Sequence, residues 1–303
     1  MSLIGNWIES LSYEMEISSA CTRKISHLSS CTACIGECPT ESICVENGDI
    51  YISKESCTTC GMCITVCPVQ AIKGQSPVRR TIRNFLLLEG DSALPTVVEL
   101  LYYHKKGIRV VHDALMRGEI MEKVKQTNAI LEEMELERLS IVNEVKLEKE
   151  EQSRISRRAL FAKLTSDSKK TLLSSMTPIK WRFNESSFKT SNLYSGWSFY
   201  EVSLKQEDCT LCEACFAICP SNVFSFVDDS LKLTDHNCSG CGLCSDICKT
   251  NSVQIHYNIH KSTEDTFPVI KNSCKRCHSL FHSWDTKETC PICSSVEEPN
   301  FFL

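Results

Sequence analysis

The chain has 303 residues, of which 21 are cysteine, with 33 basic and 38 acidic side chains and a net charge of -5. That length holds two or three domains, and the near-balance of charge offers no basic face for nucleic acid or an anionic membrane surface. Cysteines grouped at metal spacing in so long a chain exclude a small disulfide scaffold and predict a metal-binding protein of a reducing, cytoplasmic compartment.

Residues 1–19 lack the basic start and the uninterrupted apolar run of a secretion signal. Instead Leu3, Ile4, Trp7, Ile8, Leu11 and Met15 share one face of a predicted short amphipathic helix. No stretch approaches the roughly 20 apolar residues that cross a bilayer. Two runs of cysteines follow: Cys31, Cys34 and Cys38, then Cys57, Cys60, Cys63 and Cys67. Between them residues 43–52 predict a hairpin turning at Asn47-Gly48-Asp49.

From Cys67 to Cys209 there is no cysteine. Residues 82–88 predict a strand. Pro95 then opens a helical period through Val97, Val98, Leu100, Leu101 and Tyr102, closed by Lys105-Lys106-Gly107. A short strand at 108–111, a helix carrying Ile120, Met121, Val124, Ile130, Leu131 and Met134, and a strand at 139–145 complete a βαβαβ order. That order predicts a small parallel sheet with right-handed crossovers. Residues 146–200 read as a charged, Ser-rich connector in which the stretch from Glu148 to Glu151 gives way to Arg154, Arg157 and Arg158. Within it, Ser156-Arg157-Arg158-Ala159-Leu160-Phe161 looks like a twin-arginine export motif, but it is internal and no apolar region follows.

Cys209, Cys212, Cys215 and Cys219 then stand at C-x2-C-x2-C-x3-C spacing before Pro220, and Cys238, Cys241, Cys244 and Cys248 repeat that spacing. The stretch resembles a bacterial two-cluster ferredoxin. In that family three thiolates of each run wrap one cubane while the fourth ligates the neighbouring cluster. The resemblance implies that Cys209, Cys212, Cys215 and Cys248 hold one 4Fe-4S cluster and that Cys238, Cys241, Cys244 and Cys219 hold the other. A constant offset of 181 aligns Cys31, Cys34, Cys38, Cys57, Cys60, Cys63 and Cys67 with seven of these eight positions, and both copies place 18 residues between their runs. The first copy is therefore expected to hold two clusters as well, one of them on Cys57, Cys60, Cys63 and Cys38.

Leu28 stands where the offset calls for a cysteine, so Cys31, Cys34 and Cys67 lack a motif ligand. A 3Fe-4S cluster, loss of the cluster, and a ligand from Cys21 or Cys44 are the open outcomes. Cys21 is the favoured ligand, because its position resembles ferredoxin-like subunits whose first cysteine lies upstream of a C-x2-C-x3-C-P run. Cys44 is then a lone thiol.

Cys274 and Cys277 are separated from Cys290 and Cys293 by twelve residues. Two such knuckles bring four sulfurs to a tetrahedron, so the segment resembles a zinc ribbon or a rubredoxin-like site, with zinc favoured over a single iron. His278 and His282 read as surface residues, and Phe281 and Trp284 as the ribbon's apolar patch. With Cys21 included, twenty of the 21 cysteines have a role.

The expected fold class is α+β: two ferredoxin-like two-cluster modules flanking a small α/β (βαβαβ) domain, plus a C-terminal zinc ribbon. Boundaries are expected at residues 1–75, 76–148, 149–200, 201–260 and 261–303. The middle order resembles thioredoxin-like or hydrogenase-subunit modules but lacks their cysteines, which implies a docking role, with a plain spacer as the alternative. The arginine phrase also resembles the segment preceding the clusters in accessory proteins of nitrate reductase, with an ordinary basic helix as its alternative. No G-x-G-x-x-G, Walker, H-x-E or H-E-x-x-H pattern occurs. The functional expectation is a non-catalytic subunit relaying single electrons through up to four 4Fe-4S clusters to or from an oxidoreductase. By resemblance the partner is a molybdenum or tungsten enzyme such as formate dehydrogenase. A maturation accessory and a redox sensor are the rival classes.

Overall fold

The computed structural model describes residues 15–74, 76–77, 79–90, 93–144 and 188–295. The amphipathic segment expected before Met15 and nearly all of the charged connector, with its arginine phrase, lie outside these residues.

The first cysteine-rich unit is framed by β1 (Glu16–Ile17) paired antiparallel with β4 (Ile72–Lys73). Inside that frame β2 (Ile43–Glu46) and β3 (Asp49–Ile52) form a hairpin. Its two turn residues, Asn47 and Gly48, both have positive φ, 51° and 88°, the geometry of a two-residue turn matched to strand twist. Single helical turns lie beside the cysteines: α1 (Thr22–Ile25) follows Cys21, α2 (Ala33–Gly36) holds Cys34 and α3 (Met62–Val66) holds Cys63. Ile17, Ile43, Ile50, Ile64 and Ile72 form a core that includes Cys34, Cys63 and Cys67. So few apolar side chains leave much of the unit's cohesion to whatever the thiols bind.

In the middle region β5 (Arg80–Ile82), β6 (Phe85–Leu88), β7 (Val110–Asp113) and β8 (Ser140–Val142) form one sheet in that order. β6, β7 and β8 are parallel, with α4 (Val97–Lys105) and α5 (Gly118–Glu133) in the crossovers. The single strand expected over 82–88 is instead an antiparallel hairpin, β5 with β6. Arg83 in its turn takes a left-handed φ of 54°, and the Asn84 carbonyl that follows accepts the amides of Arg109 and Val110. Thr96 caps α4 by accepting the Glu99 amide, and Glu99, fully buried, pairs with Arg79 at 2.7 Å.

The second cysteine-rich unit repeats the first with a longer frame. β9 (Trp197–Leu204) pairs antiparallel with β12 (Val253–Lys261), around a hairpin of β10 (Phe224–Val227) and β11 (Ser230–Thr234). Asp228 and Asp229 take left-handed turn positions at 45° and 56°. Two further helical turns, α6 (Ala214–Ile218) and α7 (Leu243–Asp246), carry cysteines as in the first unit. The long strands carry Phe199 and Ile259 into the core of the middle sheet, beside Leu86, Leu100, Val111, Ile120 and Leu131. The first unit holds the same domain through buried Thr65–Thr96 hydroxyls at 2.8 Å and the Lys123–Glu37 ion pair at 2.8 Å.

β13 (Glu264–Pro268) adds a third strand to β11, and a terminal hairpin follows, β14 (Ile270–Ser273) with β15 (Leu280–Ser283), then α8 (Pro291–Ser295). Among the described residues no helix is long and apolar enough to cross a membrane.

Candidate metal centres

Cys21, Cys31, Cys34 and Cys67 line one cavity. Cys21 sits at the start of α1, its carbonyl accepting the amides of Lys24 and Ile25 at 2.9 Å. The loop is folded back onto Cys31 by Arg23, whose Nε donates to the Cys31 carbonyl at 2.6 Å, and by the buried Ser29–Thr22 hydroxyl bond at 2.9 Å. Leu28 belongs to this loop but turns its side chain outward, 53% exposed. Cys44 is elsewhere, half-buried on β2, with its thiol donating to the Glu41 carbonyl at 3.8 Å.

Cys38, Cys57, Cys60 and Cys63 line a second cavity, and Cys219, Cys238, Cys241 and Cys244 a third. The remaining four, Cys209, Cys212, Cys215 and Cys248, act on one another: burial first, then the charges of Cys209 and Cys212 and, more weakly, of Cys248, push Cys215 up to about 12. In three of the four groups both residues flanking the middle cysteine have positive φ: Thr59 and Gly61, Leu211 and Glu213, Gly240 and Gly242. This double left-handed bend curls three successive thiols toward one point. The group with Cys21 has no such bend, because its first thiol arrives from a helix start instead.

The donor chemistry fits a polycationic guest. Burial, then neighbouring thiolates, pushes Cys34 and Cys63 up to about 12, and burial does the same to Cys238. Four thiols that oppose one another's ionisation in a buried pocket ionise together only when bound iron neutralises them. Backbone amides already point at sulfur, from Ala71 to Cys67 at 3.1 Å and from Ser42 to Cys38 at 3.2 Å.

Successive groups lie close enough to act on one another. Within the first unit Cys34 adds to the charge acting on Cys63, and within the second Cys215 adds to that acting on Cys244. Across the units Cys241 is raised by burial, then by charges that include Cys31. Tyr200, pushed up to about 12 by burial, feels Cys238, Cys31 and Cys241 together. Its ring packs so closely on Gly240 that a Cβ there would lie 2.1 Å from it.

Near the C-terminus the sulfurs of Cys274, Cys277, Cys290 and Cys293 all lie within 4.8 Å of one another, with Cys277 and Cys290 at 3.8 Å. A tetrahedron with metal–sulfur bonds of about 2.3 Å has edges of similar length. Phe281 packs on this group. Trp284 does not join that patch as the sequence suggested: its Nε1 donates to the Cys209 carbonyl at 2.6 Å, and its ring packs near Leu211 and Val269. Trp284 lies in the bend just past β15, which carries it away from Phe281. His282 is not a bare surface residue either, stacking on Phe226 with ring centroids 3.7 Å apart, whereas His278 is exposed.

Family comparisons agree with this geometry. A 4Fe-4S binding domain matches residues 50–73 and a 4Fe-4S dicluster domain matches residues 201–249. The chain is 48% identical to a ferredoxin of Streptomyces griseus over 40 residues, which is 13% of this chain and 38% of that one. It is 31% identical over 102 residues to an uncharacterized ferredoxin of Methanocaldococcus jannaschii, 34% of this chain and 65% of the relative. A ferredoxin of Methanothermococcus thermolithotrophicus is 37% identical over 43 residues, 14% of this chain but 72% of the relative. The chain thus spans well under half of the Streptomyces protein and most of the small archaeal one. With the two 4Fe-4S domains and a small archaeal ferredoxin covered over most of its length, this chain belongs to the 4Fe-4S ferredoxins.

Proposed function

We propose that the protein relays single electrons along four 4Fe-4S sites to or from a partner oxidoreductase. The proposed ligands, in row order, are Cys38, Cys57, Cys60 and Cys63; Cys21, Cys31, Cys34 and Cys67; Cys219, Cys238, Cys241 and Cys244; and Cys209, Cys212, Cys215 and Cys248. The observation that carries this reading is the junction between units, where the amide and hydroxyl of Ser30, next to Cys31, both donate at 2.8 Å to Asp246 on the turn that carries Cys244, and Tyr200 packs on Gly240.

When bound, such clusters accept and donate one electron each with every iron held by protein thiolate, so no substrate binds to them. The chain's own part is to hold the four groups in sequence and to limit water at them. Ile17, Ile50 and Ala71 wall the group containing Cys21, and Val202, Val223 and Ile255 wall the group containing Cys238. The middle domain fastens both units and has no thiols of its own, so its proposed role is to fix their alignment and to dock the partner. Zinc is proposed for the C-terminal four-cysteine group, which secures the ribbon beside Cys209.

Anaerobic purification followed by metal and sulfide analysis tests the reading. About sixteen irons and sixteen labile sulfides per chain are expected from four cubanes, with one zinc. Reversible reduction of all clusters and rapid reoxidation by a co-purifying enzyme complete the case. Colourless protein with zinc in place of iron and no labile sulfide overturns it.

A further inference from the structure

Four cysteines cross from one run to the other group of their unit: Cys38 and Cys248 reach the two terminal groups of the row, Cys67 and Cys219 the two inner ones. The residues after them differ. Cys38 and Cys248 are each followed by x-Thr-x-Ser, giving Thr40 and Ser42, and Thr250 and Ser252. Cys67 and Cys219 are followed by Pro-Val-Gln-Ala and Pro-Ser-Asn-Val. The repeat pairs Cys38 with Cys219 and Cys67 with Cys248, so the Thr-x-Ser element follows position in the row and not descent within the repeat.

The hydroxyls are aimed at sulfur. Ser252 Oγ lies 3.2 Å from Cys248 Sγ, Thr250 Oγ1 lies 3.6 Å from it, and the two hydroxyls are 3.0 Å apart. Thr40 Oγ1 lies 3.7 Å from Cys38 Sγ and 2.6 Å from Ser42 Oγ, while the Ser42 amide donates to the same sulfur at 3.2 Å. Ser42 and Ser252 are 1% and 2% exposed, so the neighbouring sulfur and threonine are their partners in place of water. At the inner positions the corresponding contacts are backbone amides, Ala71 to Cys67 at 3.1 Å, with Val69 beside it, and Val223 to Cys219 at 3.5 Å. One hydroxyl, that of Ser239, reaches an inner thiol, Cys241.

A reduced cluster carries one more negative charge than an oxidised one, part of it on sulfur, and donors aimed at sulfur favour the more negative state. We infer that the Thr40–Ser42 and Thr250–Ser252 pairs set the two terminal sites at higher reduction potential than the two inner ones. The row then has low sites at its centre and resting sites at both ends, where redox partners reach it. Each hop oxidises one site and reduces the next by one electron, with no bond made or broken; a low-potential redox protein supplies the electron and an acceptor protein removes it. This rests on the four-cluster reading above.

The test is a redox titration of anaerobically purified protein, followed by electron paramagnetic resonance, on the Thr40→Val/Ser42→Ala and Thr250→Val/Ser252→Ala pairs. Each pair is expected to lower one midpoint, and a different one, by about tenfold in the reduced-to-oxidised ratio at fixed potential, or about 59 mV for one electron. Thr40→Ser and Thr250→Ser should leave the midpoints unmoved. Should a paired variant bind less iron, the exposed Thr40→Val and Thr250→Val changes carry the test, with a smaller shift of the same sign. Wild-type iron and sulfide with every midpoint unchanged overturns the inference and leaves the four-cluster reading standing. Wild-type protein without iron or labile sulfide overturns the reading itself.

Discussion

Ser30 and Asp246, 216 residues apart, are joined by two hydrogen bonds of 2.8 Å, the amide and the hydroxyl of Ser30 both donating to the Asp246 carboxylate. Ser30 immediately precedes Cys31, and Asp246 ends the helical turn that carries Cys244, so the pair fastens the two inner groups across the unit boundary. Bonds to a charged acceptor contribute about 1.5 to 3 kcal/mol when buried, and exposure here places the pair nearer 1 kcal/mol. Asp246→Ala should raise the exchange rate of the Ser30 amide by roughly fivefold to tenfold while the bound iron stays constant. An unaltered exchange rate would show that the junction is held by other contacts.

Cys21 and Cys44 make opposite predictions. Cys21→Ser removes a thiol that lines the cavity of Cys31, Cys34 and Cys67. It should convert one cubane into a three-iron centre, seen in electron paramagnetic resonance of the oxidised protein. Cys44, whose thiol meets the Glu41 carbonyl, should tolerate Cys44→Ser with unchanged spectra. The reverse pattern would move the fourth ligand to the hairpin.

How much of this was open to sequence reading depends on range. The groupings in the second unit follow from local spacing, because x2 gaps with left-handed Leu211, Glu213, Gly240 and Gly242 leave three thiols little choice but to converge. The parallel strands of the middle region were legible from apolar periodicity, yet the turn at Arg83 was not, since Ile82 and Phe85 read as one continuous strand. Cys21 stood out only through the missing partner of Cys209 in the repeat; the contacts that curl its loop, Arg23 to Cys31 and Thr22 to Ser29, carry no motif. The unit junction was invisible, because nothing in a sequence pairs Ser30 with Asp246 or sets Tyr200 on Gly240. Trp284 went astray because β15 ends at Ser283 and a bend follows, which composition does not show.

Asp235 gives the second unit a pH signature. Its carboxylate accepts from Ser198 Oγ at 2.8 Å, His260 Nε2 at 2.5 Å, and Thr263 N and Oγ1 at 3.2 and 2.9 Å. Burial pushes the acid up, but these donors outweigh it and hold Asp235 below its usual value. Burial pushes His260 down, and the bonds to Asp235 and the Asn258 carbonyl more than reverse this. A histidine raised on folding stabilises fully below its unfolded value near 6.5, and that contribution fades as pH rises through the folded value. A lowered aspartate stabilises above its unfolded value near 3.8 and loses that contribution as pH falls through the folded one. The pair therefore contributes most between about pH 4 and 6.5. His260→Gln should unfold more readily than the parent chain at pH 6, by about 1 kcal/mol, with the gap closing as pH rises through the raised folded value of His260. A gap independent of pH would mean that His260 acts through packing alone.

The ribbon's hold on the terminal cluster site runs through Trp284, beside the contacts of His282 with Phe226 and Glu213. Its indole donates to the Cys209 carbonyl, and Phe267 packs edge-on to the ring at 6.3 Å. If the four-cysteine group holds zinc, stripping that metal with a chelator should release β14, β15 and Trp284 together, because among the described residues the core of this hairpin is Phe281 with Cys274, Cys290 and Cys293. Tryptophan emission should shift to the red as the indole leaves its carbonyl, and iron bound at the neighbouring group should become easier to remove. Trp284→Phe keeps the ring but loses the donor, which should weaken the docking by about 1 kcal/mol; Trp284→Ala, which also empties the contact with Leu211 and Val269, should weaken it by about 3 kcal/mol or more. The check is the zinc-dependent protection of residues 209–215 against hydrogen exchange. If that protection is the same in both variants and the parent chain, the ribbon is a separate module and not the cover of the terminal site.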